Sequence, residues 1–142
     1  MSQWLGLSGR TAVVTGAGGG IGKAVAKELS AMGVHCYLLD RSSDLVDAAV
    51  NEITDAGGNA IGAVCDVTDE SAIQKLAESI TKCDILVNAA GLVRPGALAD
   101  LQTAEWDALL KVNLTGYFLM ARAFTPLLVA SGNGSMIHIA SI

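Results

Sequence analysis

Residues 11–22 of this chain read TAVVTGAGGGIG, a short apolar run followed at once by closely spaced glycines. The run 11–14 predicts a buried strand, and the residues after Ile21 have the apolar spacing of a helix. Glycines at such a junction let the backbone turn tightly and approach an anion closely. The N-terminus of the following helix presents unpaired N–H groups and a partial positive charge. The stretch therefore predicts a strand, loop and helix that bind a pyrophosphate group.

The composition fits one domain with an extensive core. The chain has 142 residues, of which 51% are hydrophobic, and its mean hydropathy is +0.47. We expect a single domain over residues 1–142, built on a parallel sheet whose strands are buried on both faces. The net charge is −5 and the nine Lys and Arg residues are scattered, which argues against a nucleic-acid partner.

The sequence shows no pattern typical of a signal peptide or a membrane span. The first residues, MSQWLGLS, have no basic segment and no sustained apolar run, so we expect a cytoplasmic protein without a signal peptide. The most apolar stretch, 114–130, is interrupted by Arg122 and Pro126 and is too short for a membrane span, so we expect no membrane partner. Three cysteines without C-x-x-C spacing predict buried reduced thiols, and we expect no metal site.

Apolar periodicity alternates between strand and helix along the whole chain. The predicted strands cover about 11–16, 34–40, 59–66 and 84–88, and a fifth follows Gly134. The predicted helices cover about 21–32, with Ile21, Val25, Leu29 and Met32 on one apolar stripe, and 45–56, marked by the apolar residues Leu45, Ala49, Ile53 and Ala56. A third is capped by Thr68, and a long one runs from about 103 past Asn113 toward Pro126. Five strands joined by crossover helices predict an α/β fold with a doubly wound parallel sheet.

Short motifs lie at the strand ends and in the long helix. They are TGAGGGIG at 15–22, Asp40 closing the second strand, Asp66-Val67 after the third, NAAG at 88–91, Asn113 in the long helix and Ser141 after the fifth strand. Together, in this order, they resemble the motifs of the short-chain dehydrogenase/reductase family. The resemblance spans essentially the whole chain and implies a Rossmann fold, a nicotinamide cofactor and the interconversion of an alcohol and a ketone.

The same residues predict which cofactor is bound. Asp40 follows the glycines by roughly 20 residues, where a carboxylate accepts hydrogen bonds from the adenosine ribose and repels a 2′-phosphate. This position favours NAD over NADP, although the neighbouring Arg41 could accommodate a phosphate. By resemblance Asp66 contacts adenine and Val67 lies beside the ring; from the residues alone Asp66 could equally be a turn residue before Thr68. The predicted cofactor-binding residues are Thr15, which ties down the loop, Gly16, Gly18, Gly19, Gly20, Ile21, Gly22, Asp40, Arg41, Asp66, Val67, Asn88, Ala89, Ala90 and Gly91.

Two further residues are catalytic by resemblance. Asn113 would bend the long helix and hold a water in a proton relay, and Ser141 would hydrogen-bond the oxygen of a small-molecule substrate. The Tyr and Lys of the family's Y-x-x-x-K motif have no counterpart, because Tyr37 and Tyr117 are not followed by Lys at that spacing. We therefore expect the cofactor-binding part of such an enzyme, truncated relative to the family. A non-catalytic NAD-binding module and half of a split enzyme are the alternatives.

Apolar side chains on the long helix predict self-association. We expect Leu114, Phe118, Met120, Leu127 and Leu128 to form an apolar face without a partner, next to an exposed edge of the fifth strand. The sequence therefore predicts a homo-oligomer formed through the long helix and this edge strand.

Overall fold

The computed structural model describes residues 5–141, in which five strands form one parallel sheet with helices on both faces. The strand order is β3-β2-β1-β4-β5. The strands are β1 (Thr11–Thr15), β2 (His35–Asp40), β3 (Asn59–Val64), β4 (Ile85–Asn88) and β5 (Ser135–His138). The helices are α1 (Gly20–Ala31), α2 (Ser43–Asp55), α3 (Glu70–Ser79), α4 (Thr103–Leu110) and α5 (Gly116–Ala130). This is the predicted doubly wound α/β fold.

The strand order reverses next to β1, and this reversal places the site. The chain runs outward from β1 through β2 to β3, then returns to the other side of β1 as β4. Ala12 pairs with Cys36 of β2 on one side and with Ile85 of β4 on the other. In doubly wound sheets, ligands bind outside the carboxyl ends of the strands at this switch point.

The core has two parts because both faces of the sheet are covered. Val13 and Leu86 face α3 and α5, where Met120 and Phe124 are fully buried. Ala12 and Val14 face α1 and α2 on the other side. Each fully buried large apolar side chain contributes about 1.5–3 kcal/mol. The central strands β1, β2 and β4 are buried as expected for a covered parallel sheet, whereas the edge strands β3 and β5 are largely exposed.

The buried face of α1 differs from the predicted one. Ile21, predicted on the apolar stripe, is 57% exposed, whereas Gly22, Ala26 and Ser30 are buried. Small residues let the helix approach the sheet closely, since a Cβ on Gly22 would lie 2.3 Å from the carbonyl oxygen of Gly16. Close packing by small residues therefore leaves Ile21 at the edge of the site described below.

The predicted cap of α3 is wrong by one residue. The side chain of Asp69, and not that of Thr68, accepts a hydrogen bond from the N–H of Ala72 at 3.0 Å. Aspartate and threonine are both good caps, and Ile73 and Ala77, four residues apart, form the buried face of α3.

The long helix is continuous from Thr103 to Ala130 and contains one irregular turn. α4 passes into a π-helical turn over Lys111–Thr115, and α5 follows without a break. It extends beyond its predicted limit near Pro126, which lies inside α5. The helix continues to Ala130 although a proline removes one backbone donor and crowds the carbonyl four residues earlier. The stretch is long and apolar enough to cross a membrane by length and composition alone. Its fully buried Met120 and Phe124 are what the core helix of a globular domain requires.

The apolar face predicted for the long helix is only partly exposed. Met120 and Leu128 are buried in the core, which contradicts their predicted exposure. Leu114 and Phe118 are 65% and 56% exposed. The helix therefore buries one apolar stripe against the sheet and presents a second one outward.

The three cysteines, Cys36, Cys65 and Cys83, are buried and unpaired, as predicted. Burial raises the pKa of each thiol to about 11. At neutral pH they are protonated and poorly nucleophilic.

Candidate functional site

The glycine-rich turn from β1 into α1 packs so closely that a Cβ would clash at Gly16, Gly18 and Gly22. Gly16 has a φ of +63°, and a Cβ there would lie 2.8 Å from the carbonyl oxygen of Ala89. Gly22 approaches the backbone of Gly16 in the same way. These contacts bring the loop, the start of α1 and the segment after β4 together at the switch point.

The N-terminus of α1 is open toward this point. Gly19 is the N-cap residue, with extended backbone, and among residues 5–141 no side chain caps the helix. The first turn contains no acidic residue. The leading N–H groups and the positive end of the helix dipole are therefore free to bind an anion.

Thr15 fastens the segment that faces the glycine loop. Its buried hydroxyl accepts hydrogen bonds from the N–H groups of Ala89 at 3.0 Å and Ala90 at 3.1 Å. The predicted anchoring role thus acts on the NAAG segment, which lies directly against Gly16. This hydrogen bonding holds one wall of the site in place.

Asp40 closes β2 beside the glycine loop. Its Oδ2 accepts a hydrogen bond from the N–H of Gly18 at 3.2 Å, and its Oδ1 accepts one from the N–H of Ser42 at 3.2 Å. The next residue, Arg41, is exposed. Asp40 and Arg41 both line the cavity described below, so a carboxylate and a guanidinium are present where β2 ends.

Asp66 lies in a turn between β3 and α3. Its Oδ1 accepts hydrogen bonds from the backbone N–H and the hydroxyl of Thr68, both at 2.8 Å. These two bonds, the backbone one first, lower the pKa of Asp66. Its Oδ2 accepts no hydrogen bond from residues 5–141, so the turn role and the predicted adenine contact are compatible. Val67 is buried and packs against Gly116 at the start of α5.

Asn88, at the end of β4, is fully buried and joins β4 to β5. Its Nδ2 lies 3.0 Å from Nδ1 of His138, and the ring of His138 stacks on Tyr117 with centroids 5.5 Å apart. The hydroxyl of Tyr117 donates to the carbonyl of Ile139 at 2.8 Å. Oδ1 of Asn88 is buried without a partner among the described residues. Asn88 therefore braces the sheet below the site.

Asn113 lies in the π-helical turn and holds the loop after β4. Its Oδ1 accepts from the N–H of Leu92 and its Nδ2 donates to the carbonyl of Leu92, both at 2.8 Å. A π turn widens the helix locally and is frequent at functional sites. The amide therefore fixes the course of the chain beyond Gly91. Ser141, the other predicted catalytic residue, is exposed and follows β5 at the carboxyl end of the sheet.

One cavity of about 880 Å³ unites most of the predicted residues. Its size is that of a site for a cofactor or large ligand. Four predicted cofactor-binding residues do not line the cavity and instead support its wall: Thr15, Gly18, Gly22 and Asn88. Predicted residues that line it are Gly16, Gly19, Gly20, Ile21, Asp40, Arg41, Asp66, Val67, Ala89, Ala90 and Gly91.

Several lining residues are absent from the sequence-based set. Leu45, predicted in the core stripe of α2, is 48% exposed and lines the cavity. Arg94 and Lys111 bring two further positive charges to it. Lys111 lies four residues after Asp107 and two before Asn113, and this spacing does not indicate that Lys111 lines a cavity. The cavity wall is formed by chain segments that are distant in sequence. The remaining unpredicted lining residues are Cys65, Thr68, Leu92, Val93, Ala108 and Val112.

Comparison with known proteins agrees with this geometry. The family model described as short chain dehydrogenase matches residues 10–142. The chain is 34% identical over 140 residues to 2,3-dihydro-2,3-dihydroxybenzoate dehydrogenase of Bacillus subtilis, covering 96% of this chain and 54% of the relative. It is 33% identical over 139 residues to D-threitol dehydrogenase of Mycolicibacterium smegmatis, covering 95% of this chain and 54% of the relative.

Solved structures show the same similarity. A metagenomic short-chain oxidoreductase in complex with NADP superposes with a TM-score of 0.89 at 41% identity, covering 96% of this chain and 64% of the other. A citronellol catabolism dehydrogenase of Pseudomonas aeruginosa PAO1 gives a TM-score of 0.84 at 34% identity, covering 91% and 54%. The chain spans about half the length of the curated relatives it matches.

Proposed function

This chain belongs to the short-chain dehydrogenase/reductase family, and from that premise we propose that it is the cofactor-binding part of an NAD-dependent oxidoreductase. The enzyme would interconvert an alcohol and a ketone. When bound, the nicotinamide ring supplies the hydride donor or acceptor. The residues of this chain supply the diphosphate cradle, the contacts to adenosine and the wall beside the nicotinamide ribose.

The shape of the cavity fits a dinucleotide. The uncapped N-terminus of α1 suits the diphosphate, and Gly16 has no Cβ that would occupy the space between the loop and Ala89. Asp40 and Asp66 mark the adenosine side, and the segment from Gly91 to Arg94 marks the other end. The cavity therefore offers groups to each part of the cofactor.

The placement of Asp40 carries the proposal of NAD. Its carboxylate lies at the end of β2, hydrogen-bonded to the glycine loop, where it accepts hydrogen bonds from ribose hydroxyls and repels a 2′-phosphate. The second candidate is NADP, because Arg41 lines the same cavity and the solved relative contains NADP.

Calorimetric titration with NAD and NADP separates the two candidates. We expect the chain to bind NAD at least ~10-fold more tightly, since a like charge beside a 2′-phosphate costs over 1 kcal/mol. Asp40→Asn should reduce this preference, and Arg41→Ala should leave it in place. Asp47→Asn removes one charge from the exposed face of α2 and serves as the control. Tighter binding of NADP by the unaltered chain would overturn the proposal of NAD.

Asn113 and Ser141 are the proposed catalytic residues of the complete enzyme. Asn113 positions the loop through Leu92, and Ser141 would hold the substrate oxygen. Because the 142 residues contain no Tyr-x-x-x-Lys, we propose that they bind the cofactor in the cytoplasm without turning over substrate. Turnover by this chain alone with a panel of alcohols would contradict this. A non-catalytic NAD-binding module and half of a split enzyme make the same prediction for the isolated chain, and recovery of turnover with a second polypeptide would identify the split enzyme.

We also propose a homo-oligomer formed through the outward stripe of the long helix and β5. Leu114 and Phe118 are more than half exposed, and β5 pairs only with β4 among the described residues. Such apolar surface marks an interaction site. Light scattering after size-exclusion chromatography should show a dimer or larger assembly, which Leu114→Lys with Phe118→Lys should convert to a monomer. Glu78→Lys, at an exposed position of α3, is the control and should leave the assembly unchanged. A monomeric unaltered chain would refute the proposal.

A further inference from the structure

The carboxylate of Asp40 is fixed in direction by two backbone groups. Gly18 donates to Oδ2 and Ser42 donates to Oδ1, each at 3.2 Å. An ionised carboxylate accepts about four hydrogen bonds in total. Two acceptor positions therefore remain for other groups, and the two bonds to N–H groups determine where those positions face.

Gly18 permits this arrangement because it has no Cβ. A Cβ there would lie 2.9 Å from Oδ2 of Asp40 and 2.6 Å from the Cβ of Leu45. Its φ lies outside the left-handed region, so space and not backbone conformation requires glycine. The Cβ of Leu45 is attached to the backbone of α2 and cannot rotate away. A side chain at position 18 would therefore separate the loop from α2, displace the carboxylate, or do both.

We propose that Gly18 is a specificity-determining residue that acts by positioning Asp40. This inference rests on the proposed binding of NAD. Held against the loop that binds the diphosphate, the carboxylate stands at a fixed distance from the adenosine ribose. There it accepts hydrogen bonds from the hydroxyls and opposes a 2′-phosphate. Once displaced, it loses the hydrogen bond from Gly18, and its discrimination between the two dinucleotides weakens.

The first test compares Gly18→Ala with Gly19→Ala by calorimetric titration of NAD and NADP. Both changes add one methyl group to neighbouring glycines of the same loop. A Cβ on Gly19 meets no atom within 4 Å, and its φ of −164° suits any residue. We expect Gly18→Ala to reduce the ratio of NAD to NADP affinity by ~10-fold, the effect of losing one hydrogen bond between the displaced Asp40 carboxylate and the ribose of NAD. Gly19→Ala should change both affinities by the same factor and leave the ratio unchanged.

The second test repeats Gly18→Ala in an Asp40→Ala background. If Gly18 acts through Asp40, the substitution has no effect on the ratio once the carboxylate is gone. Circular dichroism and thermal unfolding report whether each variant is folded. Should Gly18→Ala not fold, Gly18→Ala with Leu45→Gly removes the clash with α2 and leaves the contact with Asp40. Because Leu45 lines the cavity, this double variant is compared with Leu45→Gly alone, and the same fall in the ratio is expected between these two.

The outcomes separate this inference from the proposed function. A chain that binds neither dinucleotide overturns the proposed function, and this inference falls with it. A chain that prefers NAD and keeps that preference in folded Gly18→Ala overturns only the role of Gly18. A change in the ratio that persists without the Asp40 carboxylate overturns the mechanism through Asp40.

Discussion

The N-terminus of α1 differs from those of α2 and α3 in how its backbone N–H groups are capped. Each helix begins with N–H groups that have no partner within the helix. In α2 and α3 the side chains of Ser42 and Asp69 cap these groups, and Asp44 and Glu70 place a negative charge in the first turn. In α1 the capping position is Gly19, and the first turn carries no acidic residue.

This difference identifies where a ligand is expected. A side-chain cap stabilises a helix by about 1 kcal/mol. α1 lacks this stabilisation because no side chain caps it among the described residues. The omission in α1 coincides with the switch point of the sheet and with a cavity of about 880 Å³. The side-chain caps of α2 and α3 need no ligand, whereas we expect an anion to bind the uncapped N-terminus of α1.

The largest effect is expected from giving α1 the side-chain cap that it lacks. Gly19→Asp should lower dinucleotide affinity by roughly 100-fold or more, because a carboxylate then repels the diphosphate at close range. The free energy of unfolding of the ligand-free chain should rise by about 0.5 kcal/mol, since the new charge favours the helix N-terminus. Calorimetry and urea denaturation measure the two effects. Gly19→Asn caps without the charge and should lose less affinity. Unchanged binding by Gly19→Asp would refute the assignment of α1 as the diphosphate site.

A smaller effect is expected from removing a cap where one exists. Asp69→Ala should lower the free energy of unfolding by about 1 kcal/mol, because the N–H of Ala72 loses its acceptor. Dinucleotide affinity should stay the same. Asp69→Asn keeps a capping oxygen and should retain most of the stability in urea denaturation. If Asp69→Ala weakened cofactor binding as strongly as it weakened the fold, the distinction between the helices would be wrong.

The smallest effect concerns the turn that leads into α3. Hydrogen bonds from the N–H and hydroxyl of Thr68 lower the pKa of Asp66. Thr68→Val removes the hydroxyl, so the pKa of Asp66 should rise part of the way toward its ordinary value, as followed by NMR.

The pH dependence of this turn has a definite sign. A folded pKa below the unfolded value of about 3.9 stabilises the protein above that pH, and the stabilisation is lost as the pH falls through the folded pKa. The stability difference between the unaltered chain and Thr68→Val should therefore shrink on acidification from pH 7 to pH 3. Thr54→Val, which alters a hydroxyl bonded to α2 backbone carbonyls, should leave the titration of Asp66 unchanged.

Sequence patterns were reliable where one periodic signal decides the structure. The order of strands and helices and the parallel sheet followed from alternating apolar runs, and the glycine loop from residue spacing alone. They failed where several small residues compete for burial. The apolar spacing predicts Ile21 on the buried stripe of α1, but Gly22, Ala26 and Ser30 are buried instead. The buried face of this helix is determined by how closely the helix packs on the sheet and not by side-chain hydropathy.

The sequence by itself determined the fold class, the family and the strand ends that form the candidate site, because these depend on local spacing along one segment. Only the tertiary structure decided what those residues touch. It brought Asp40 to the N–H of Gly18, Thr15 to the N–H groups of Ala89 and Ala90, and Asn113 to Leu92. These partners lie far apart in the chain. Their distances are set by how the strands pair and how closely the helices pack, which no local pattern contains.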